Sequence, residues 1–172
     1  MKKQILGLLL SVLVAHLALS QNVPTRGQKA RPFRAKTLRG LPVNFPSDYR
    51  GKVVLLDFWA TYCPPCMQEM PNVVKAYNKY HARGFDILGI SLDGPKTKKD
   101  ISRVRAKKGM KWNQICDYRV WETRFVKLYG VDVIPHEFLV NGNTGRVIAE
   151  GDTLYGEGLD AAVKGALSTL HK

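Results

Sequence analysis

Two runs of this chain are apolar at almost every position: Val53-Val54-Leu55-Leu56-Asp57-Phe58-Trp59-Ala60 and Phe85-Asp86-Ile87-Leu88-Gly89-Ile90-Ser91-Leu92. Strands covered on both faces, as in a parallel sheet, have this composition. Other stretches place apolar residues three or four apart, the spacing of one helix face. Met67, Met70, Val73, Val74 and Tyr77 mark a helix from Cys63 to about His81, with Pro71 expected to kink it. Ile101 and Val104 mark another over Lys98 to Lys108; shorter patterns predict helices over Glu122 to Tyr129 and Leu159 to Leu170. Phe33 to Phe45 alternates weakly around Arg39-Gly40 and predicts a hairpin. His136 to Val140 and Arg146 to Glu150 flank Asn141-Gly142-Asn143-Thr144-Gly145 and predict a second, and a short strand is expected near Trp112 to Ile115. Strands alternating with helices, then a hairpin and a helix, predict an α/β sheet with helices on both faces.

The N-terminus breaks this pattern. Lys2 and Lys3 precede an apolar stretch from Ile5 to Leu19, and Ala18-Leu19-Ser20 offers small residues for cleavage. That run is short beside the roughly 20 apolar residues of a membrane span, so residues 1–20 are expected to be a secretory signal peptide, with an uncleaved anchor as the alternative. Residues 21–32 read as a flexible basic linker and 33–172 as one domain. The 27 Lys and Arg against 14 Asp and Glu give a formal charge of +13. Outside the cytoplasm that charge speaks for acidic proteins or anionic membrane surfaces and against nucleic acid. Lys96 to Lys111 concentrates it, with eight basic residues against Asp100 alone. This segment is a candidate membrane-surface contact.

The chemistry gathers where the first apolar run meets the first helix, at Cys63-Pro64-Pro65-Cys66. Two cysteines so spaced can close a small disulfide ring, and a helix N-terminus lowers the pKa of the first thiol. Pro64 suits the first helical position, where its missing N–H is no loss. Pro65 also lacks an N–H, so the Cys66 amide is the expected donor to the Cys63 sulfur. Cys63 is the expected attacking thiolate at an exposed N-cap, and Cys66 the resolving thiol one turn on. A zinc site would want a second Cys or His pair; the remaining cysteine, Cys116, and the four histidines supply none at that spacing. Cys116 is expected to be a buried, inert thiol.

Asp57 to Cys66 resembles the active-site segment of the thioredoxin superfamily. With Glu69, Met70 and Pro71 it resembles more closely the TlpA/ResA branch of secreted or membrane-tethered thiol-disulfide oxidoreductases. The likeness runs from about Phe33 to the C-terminus, with Tyr62 standing where that branch usually has Trp. It implies a thioredoxin-like α/β fold: a central mixed sheet with helices on both faces, an N-terminal hairpin and a strand-helix insertion over about 85–116. Asp57, whose place in the apolar strand predicts a raised pKa, departs from the neutral residue of many TlpA/ResA-like chains. It resembles the buried Asp of thioredoxins, which implies help in deprotonating Cys66. Glu69 matches a position that tunes thiol acidity in ResA-like proteins. The likeness also implies a cis bond at Ile134–Pro135 facing the disulfide. Trp59, Tyr62, Pro64, Pro65, Ile134 and Pro135 form the expected substrate-binding set. The expected partners are protein thiols and disulfides and an unidentified membrane or periplasmic electron donor, for a monomer without a cofactor. The expected place is the periplasm, and the expected task is reduction, with cytochrome c maturation as the specific case. Two alternatives stand beside it: a disulfide-forming oxidase, and a metal-binding or copper-delivery module using Cys63, Cys66 and His136. For His136 itself the residues favour a strand-start role shaping the substrate groove.

Overall fold

The computed structural model describes residues 23–170. The expected signal peptide lies outside them. In chain order the elements are β1 (Phe33–Lys36), β2 (Pro42–Phe45), β3 (Val53–Trp59), α1 (Pro64–Tyr80), β4 (Phe85–Ser91), α2 (Lys98–Lys108), β5 (Asn113–Ile115), α3 (Arg124–Tyr129), β6 (His136–Asn141), β7 (Arg146–Glu150) and α4 (Glu157–Thr169). Short 3-10 turns precede β3, β4, α2, α3 and α4.

The apolar run with no polar face becomes the centre of the sheet. All seven residues of β3 are buried. β3 runs parallel to β4, Val53 opposite Phe85 through Trp59 opposite Ser91. It runs antiparallel to β6, Val53 opposite Asn141 through Phe58 opposite His136. The sheet order is β5-β4-β3-β6-β7, while β1 and β2 form a separate antiparallel hairpin. Each large apolar side chain so enclosed contributes about 1.5–3 kcal/mol, which makes β3 and β4 the foundation of the fold.

Alternation along β3 and β6 gives the sheet two distinct faces. On one, Phe58, Phe138 and Tyr129 meet ring to ring, with centroids 5.0 to 6.1 Å apart, and Phe33 stacks on Phe45 and meets Phe125 edge-on. The other carries Asp57 and Glu137 beneath α1. There α1 packs beside α4, with Lys79 and the Tyr80 hydroxyl both bonded to Asp160. Pro71 sits inside α1 and cannot donate to the Met67 carbonyl. Lys108, at the end of α2, donates to that carbonyl instead, at 3.2 Å.

The described part of the expected flexible linker is not free. Gly27 N donates to Val147 O and Val147 N to Gln28 O, so residues 27–30 lie antiparallel along the outer edge of β7. Ala30 is buried, and the Tyr129 hydroxyl donates to Arg31 O at 2.7 Å. The chain then crosses the aromatic face through β1, and Leu38 N reaches Gln114 O on the opposite edge strand, β5. The ordered domain therefore begins before Phe33. A polar, basic sequence with Pro24 and Gly27 hides this, because backbone hydrogen bonds to an edge strand need no apolar pattern.

Candidate active site

The end of β3 and the start of α1 deliver the two cysteines. Cys63 is the N-cap of α1, in extended conformation, and Pro64 and Pro65 fill the first turn. With two amides missing, the Cys66 N–H donates to Cys63 Sγ at 3.1 Å, the contact the two prolines predict. The cysteines are joined as a disulfide with Cα atoms 5.3 Å apart. Contrary to the expected exposed N-cap, Cys63 is buried, as is Cys66, while Pro64 and Pro65 are exposed. Ile134 explains part of this cover, its carbonyl oxygen lying 3.6 Å from Cys63 Sγ. The Ile134–Pro135 bond is cis, as is Phe45–Pro46, which the sequence reading did not anticipate.

The loop between strand and helix is held from β4. Asp93, fully buried, accepts from the Thr61 N–H, from the Thr61 hydroxyl and from Ser91 Oγ. The Tyr62 hydroxyl donates to Leu92 O at 3.0 Å, leaving the ring 48% exposed beside the disulfide loop. Val133 is 60% exposed next to half-buried Ile134. Tyr62, Pro64, Pro65, Val133 and Ile134 thus offer apolar surface on the two segments that meet at the disulfide.

Trp59 is not part of that surface. It is 0% exposed and donates through Nε1 to Gln114 Oε1 at 2.9 Å, so its expected contact with substrate is corrected to a place in the core. Gly89 makes that bond possible, because a Cβ there would stand 2.0 Å from Gln114 Oε1. Cys116 is half-buried rather than buried, its Sγ 3.5 Å from Asp93 O, and burial raises its thiol pKa. The His136 ring lies tilted against Phe138, with centroids 4.8 Å apart, on the sheet face opposite Asp57, and burial lowers its pKa. Among the described residues no three His, Cys, Asp or Glu side chains are grouped to hold a metal ion.

Three carboxylates lie within electrostatic reach of one another. Asp57 is 2% exposed; burial first and the Glu69 charge second push its pKa up to about 7. Glu69, half-buried on α1, accepts from Gly156 N at 2.9 Å and from Asn72 Nδ2 at 3.2 Å. Glu137 was not anticipated: it stands directly opposite Asp57 on β6 and is 0% exposed. Burial, then the charges of Asp57 and Glu69, raise its pKa well above the usual carboxylate range. A lone acid before Phe138-Leu139-Val140 was the available sign; its partner depends on a strand register that sequence does not print.

A disulfide capping the helix that follows the central strand of this mixed sheet defines a thioredoxin-like protein. Residues 26–148 match the AhpC/TSA family, and the chain belongs to it. Within that family the likeness is to the ResA type. The chain is 33% identical over 124 residues to the thiol-disulfide oxidoreductase ResA of Bacillus thuringiensis subsp. konkukian, covering 72% of this chain and 68% of that protein. It is also 33% identical over 104 residues to ResA of Geobacillus thermodenitrificans, covering 59% of this chain and 57% of the relative, less than two thirds of its length. Among solved structures, the thioredoxin domain of a thiol-disulfide oxidoreductase from Bacteroides vulgatus superposes with a TM-score of 0.71 at 28% identity, covering 83% of this chain and 97% of that one.

Proposed function

We propose that this protein is a thiol-disulfide oxidoreductase that exchanges its Cys63–Cys66 pair with protein substrates outside the cytoplasm, working as a reductase. The observation that carries the reading is the cysteine pair itself: a ring closed at a helix N-cap, with the Cys66 amide on Cys63 Sγ and the Ile134 carbonyl beside it. The Cys63 thiolate, stabilised by that amide and the helix end, attacks a substrate disulfide. Cys66 then attacks Cys63 Sγ, closing the ring and releasing the substrate sulfur as a thiolate. Asp57 takes the Cys66 proton, and Glu69 holds negative charge near it. Tyr62, Pro64, Pro65, Ile134 and Pro135 receive the substrate chain.

The ResA names of the relatives support the exchange chemistry, and the apolar, Lys-led N-terminus of the sequence supports export. Reduction of a disulfide in apocytochrome c to its two thiols is the specific task we infer, with a membrane or periplasmic protein as electron donor and the basic face of α2 meeting an acidic surface. The reading is tested by the potential of the pair in thiol buffers, scored by alkylation. A two-electron transition near about −250 mV or lower is expected; one near about −120 mV would make the protein an oxidant. No transition at all would overturn the exchange reading. Cys66→Ser should in addition trap substrates as mixed disulfides on Cys63.

A further inference from the structure

Glu137 is a fully buried acid to which the chemistry above gives no task. It faces Asp57 across the β3–β6 ladder, on the same side of the sheet, where directly opposite residues hold their Cβ atoms about 4.5–5.5 Å apart. Neither Glu137 carboxylate oxygen has a hydrogen-bond partner among the described residues, nor has Asp57 Oδ2. A purely structural role does not account for this arrangement. Unpaired acids in a dry interior destabilise a fold, and an apolar side chain would fill the space without that cost.

Two further groups act on the pair: Glu69 from α1, and Tyr155 from the turn before α4, its hydroxyl bonded to Pro135 O. The charges acting on Glu137 are both acidic, and two adjacent carboxylates of this kind cannot both ionise. Burial first, and then the charge of Glu137 ahead of those of Asp152, Asp57 and Glu69, raise the Tyr155 pKa, so the phenol lies within electrostatic reach of the same cluster.

We propose that Asp57 and Glu137 form a carboxyl dyad that holds one proton between them and acts as a single base for the Cys66 thiol. The proposal rests on the exchange reading above. In the resolving step the Cys66 S–H proton passes to the dyad through Asp57. The Cys66 thiolate attacks Cys63 Sγ, the Cys63–Cys66 bond forms, and the bond from Cys63 to the substrate sulfur breaks. The electron pair leaves on that sulfur, which takes a proton from solvent. The dyad, now doubly protonated, returns one proton past half-buried Glu69. Glu137 is in this account a positioning residue: it acts through Asp57 and sets the pH at which the base is available.

The test is the pH dependence of mixed-disulfide resolution in the full chain, with oxidised glutathione as probe, from about pH 5 to about pH 9. If the dyad acts through Asp57, Asp57→Asn loses the inflection and resolves about a hundredfold more slowly at neutral pH. Glu137→Gln keeps an inflection but at a displaced pH, because Asp57 then titrates beside a group that can neither ionise nor share its proton. The double variant behaves as Asp57→Asn does. An inflection retained by Asp57→Asn, or a Glu137→Gln profile superimposed on that of the natural protein, overturns the dyad. A second measurement needs no variant: the infrared carbonyl stretch of a protonated, buried carboxylic acid should persist in the oxidised protein at about pH 8, above the Asp57 inflection. Its absence also overturns the dyad. Failure of the natural protein to exchange with glutathione at all would strike the exchange reading, and the infrared band would still decide whether the acids share a proton.

Discussion

Asp57 shows how one side chain can be legible in a sequence while its setting is not. An acid inside Val53 to Ala60 announces itself as buried, and burial together with the Glu69 charge does raise its pKa to about 7. The stability consequence follows by linkage. Below about pH 4 the acid is protonated in both folded and unfolded chains. Between about pH 4 and pH 7 the unfolded chain ionises while the folded one keeps its proton, so stability falls as pH rises, by a few kcal/mol at most. Asp57→Asn removes that term. Urea unfolding should therefore find the variant gaining on the natural protein across that window and level above it. Glu137 was missed because its significance lies in facing Asp57, and Trp59 was misplaced because an aromatic beside a cysteine motif reads as surface until Gln114 is seen to bind it.

At the scale of elements the reading came close, since the patterns that define β3, β4 and α2 are strongly periodic or unbroken. The expected helix over Lys98 to Lys108 is α2 to the residue. Pro71 is more instructive. The sequence announces a break in α1, and the structure shows what answers it, the Lys108 ammonium on the orphaned Met67 carbonyl. A hydrogen bond to a charged donor of this sort contributes about 1.5–3 kcal/mol, less when part-exposed. Lys108→Ala should therefore destabilise the protein by about 1 kcal/mol. The same change should have little effect beside Pro71→Ala, where the restored amide serves Met67. Additive losses in that double-mutant cycle would show that the lysine acts elsewhere. The ends of α1 and α3 depend on caps and 3-10 turns, which hydrophobic periodicity does not register.

On the scale of the whole molecule, the N-terminal segment was the largest surprise. Residues 27–30 line β7, β1 crosses the aromatic face, and Leu38 meets β5, so one continuous strap covers parts of both sheet edges. For residues 27–30 the sequence gives no hint, because most of the bonds are made by backbone and Gln28 and Lys29 are exposed. Deleting the chain up to Arg31 should lower the urea midpoint and promote association through the bared β7 edge. Equal stability and solubility of the truncated protein would show the strap to be ornamental. The strong positive charge, by contrast, was legible at once, and α2 carries its densest part.

The strap also bears on the order in which this chain can fold. Its first bonds tie Gly27 and Gln28 to Val147, so this segment waits for β7, the last strand among the described residues. Contacts so far apart in sequence form late and slow a chain's folding. During synthesis, N-terminus first, the strap has nothing to hold until β7 emerges. The clasp closes only after Val147 has been made, and until then the strap stays extended and unpaired.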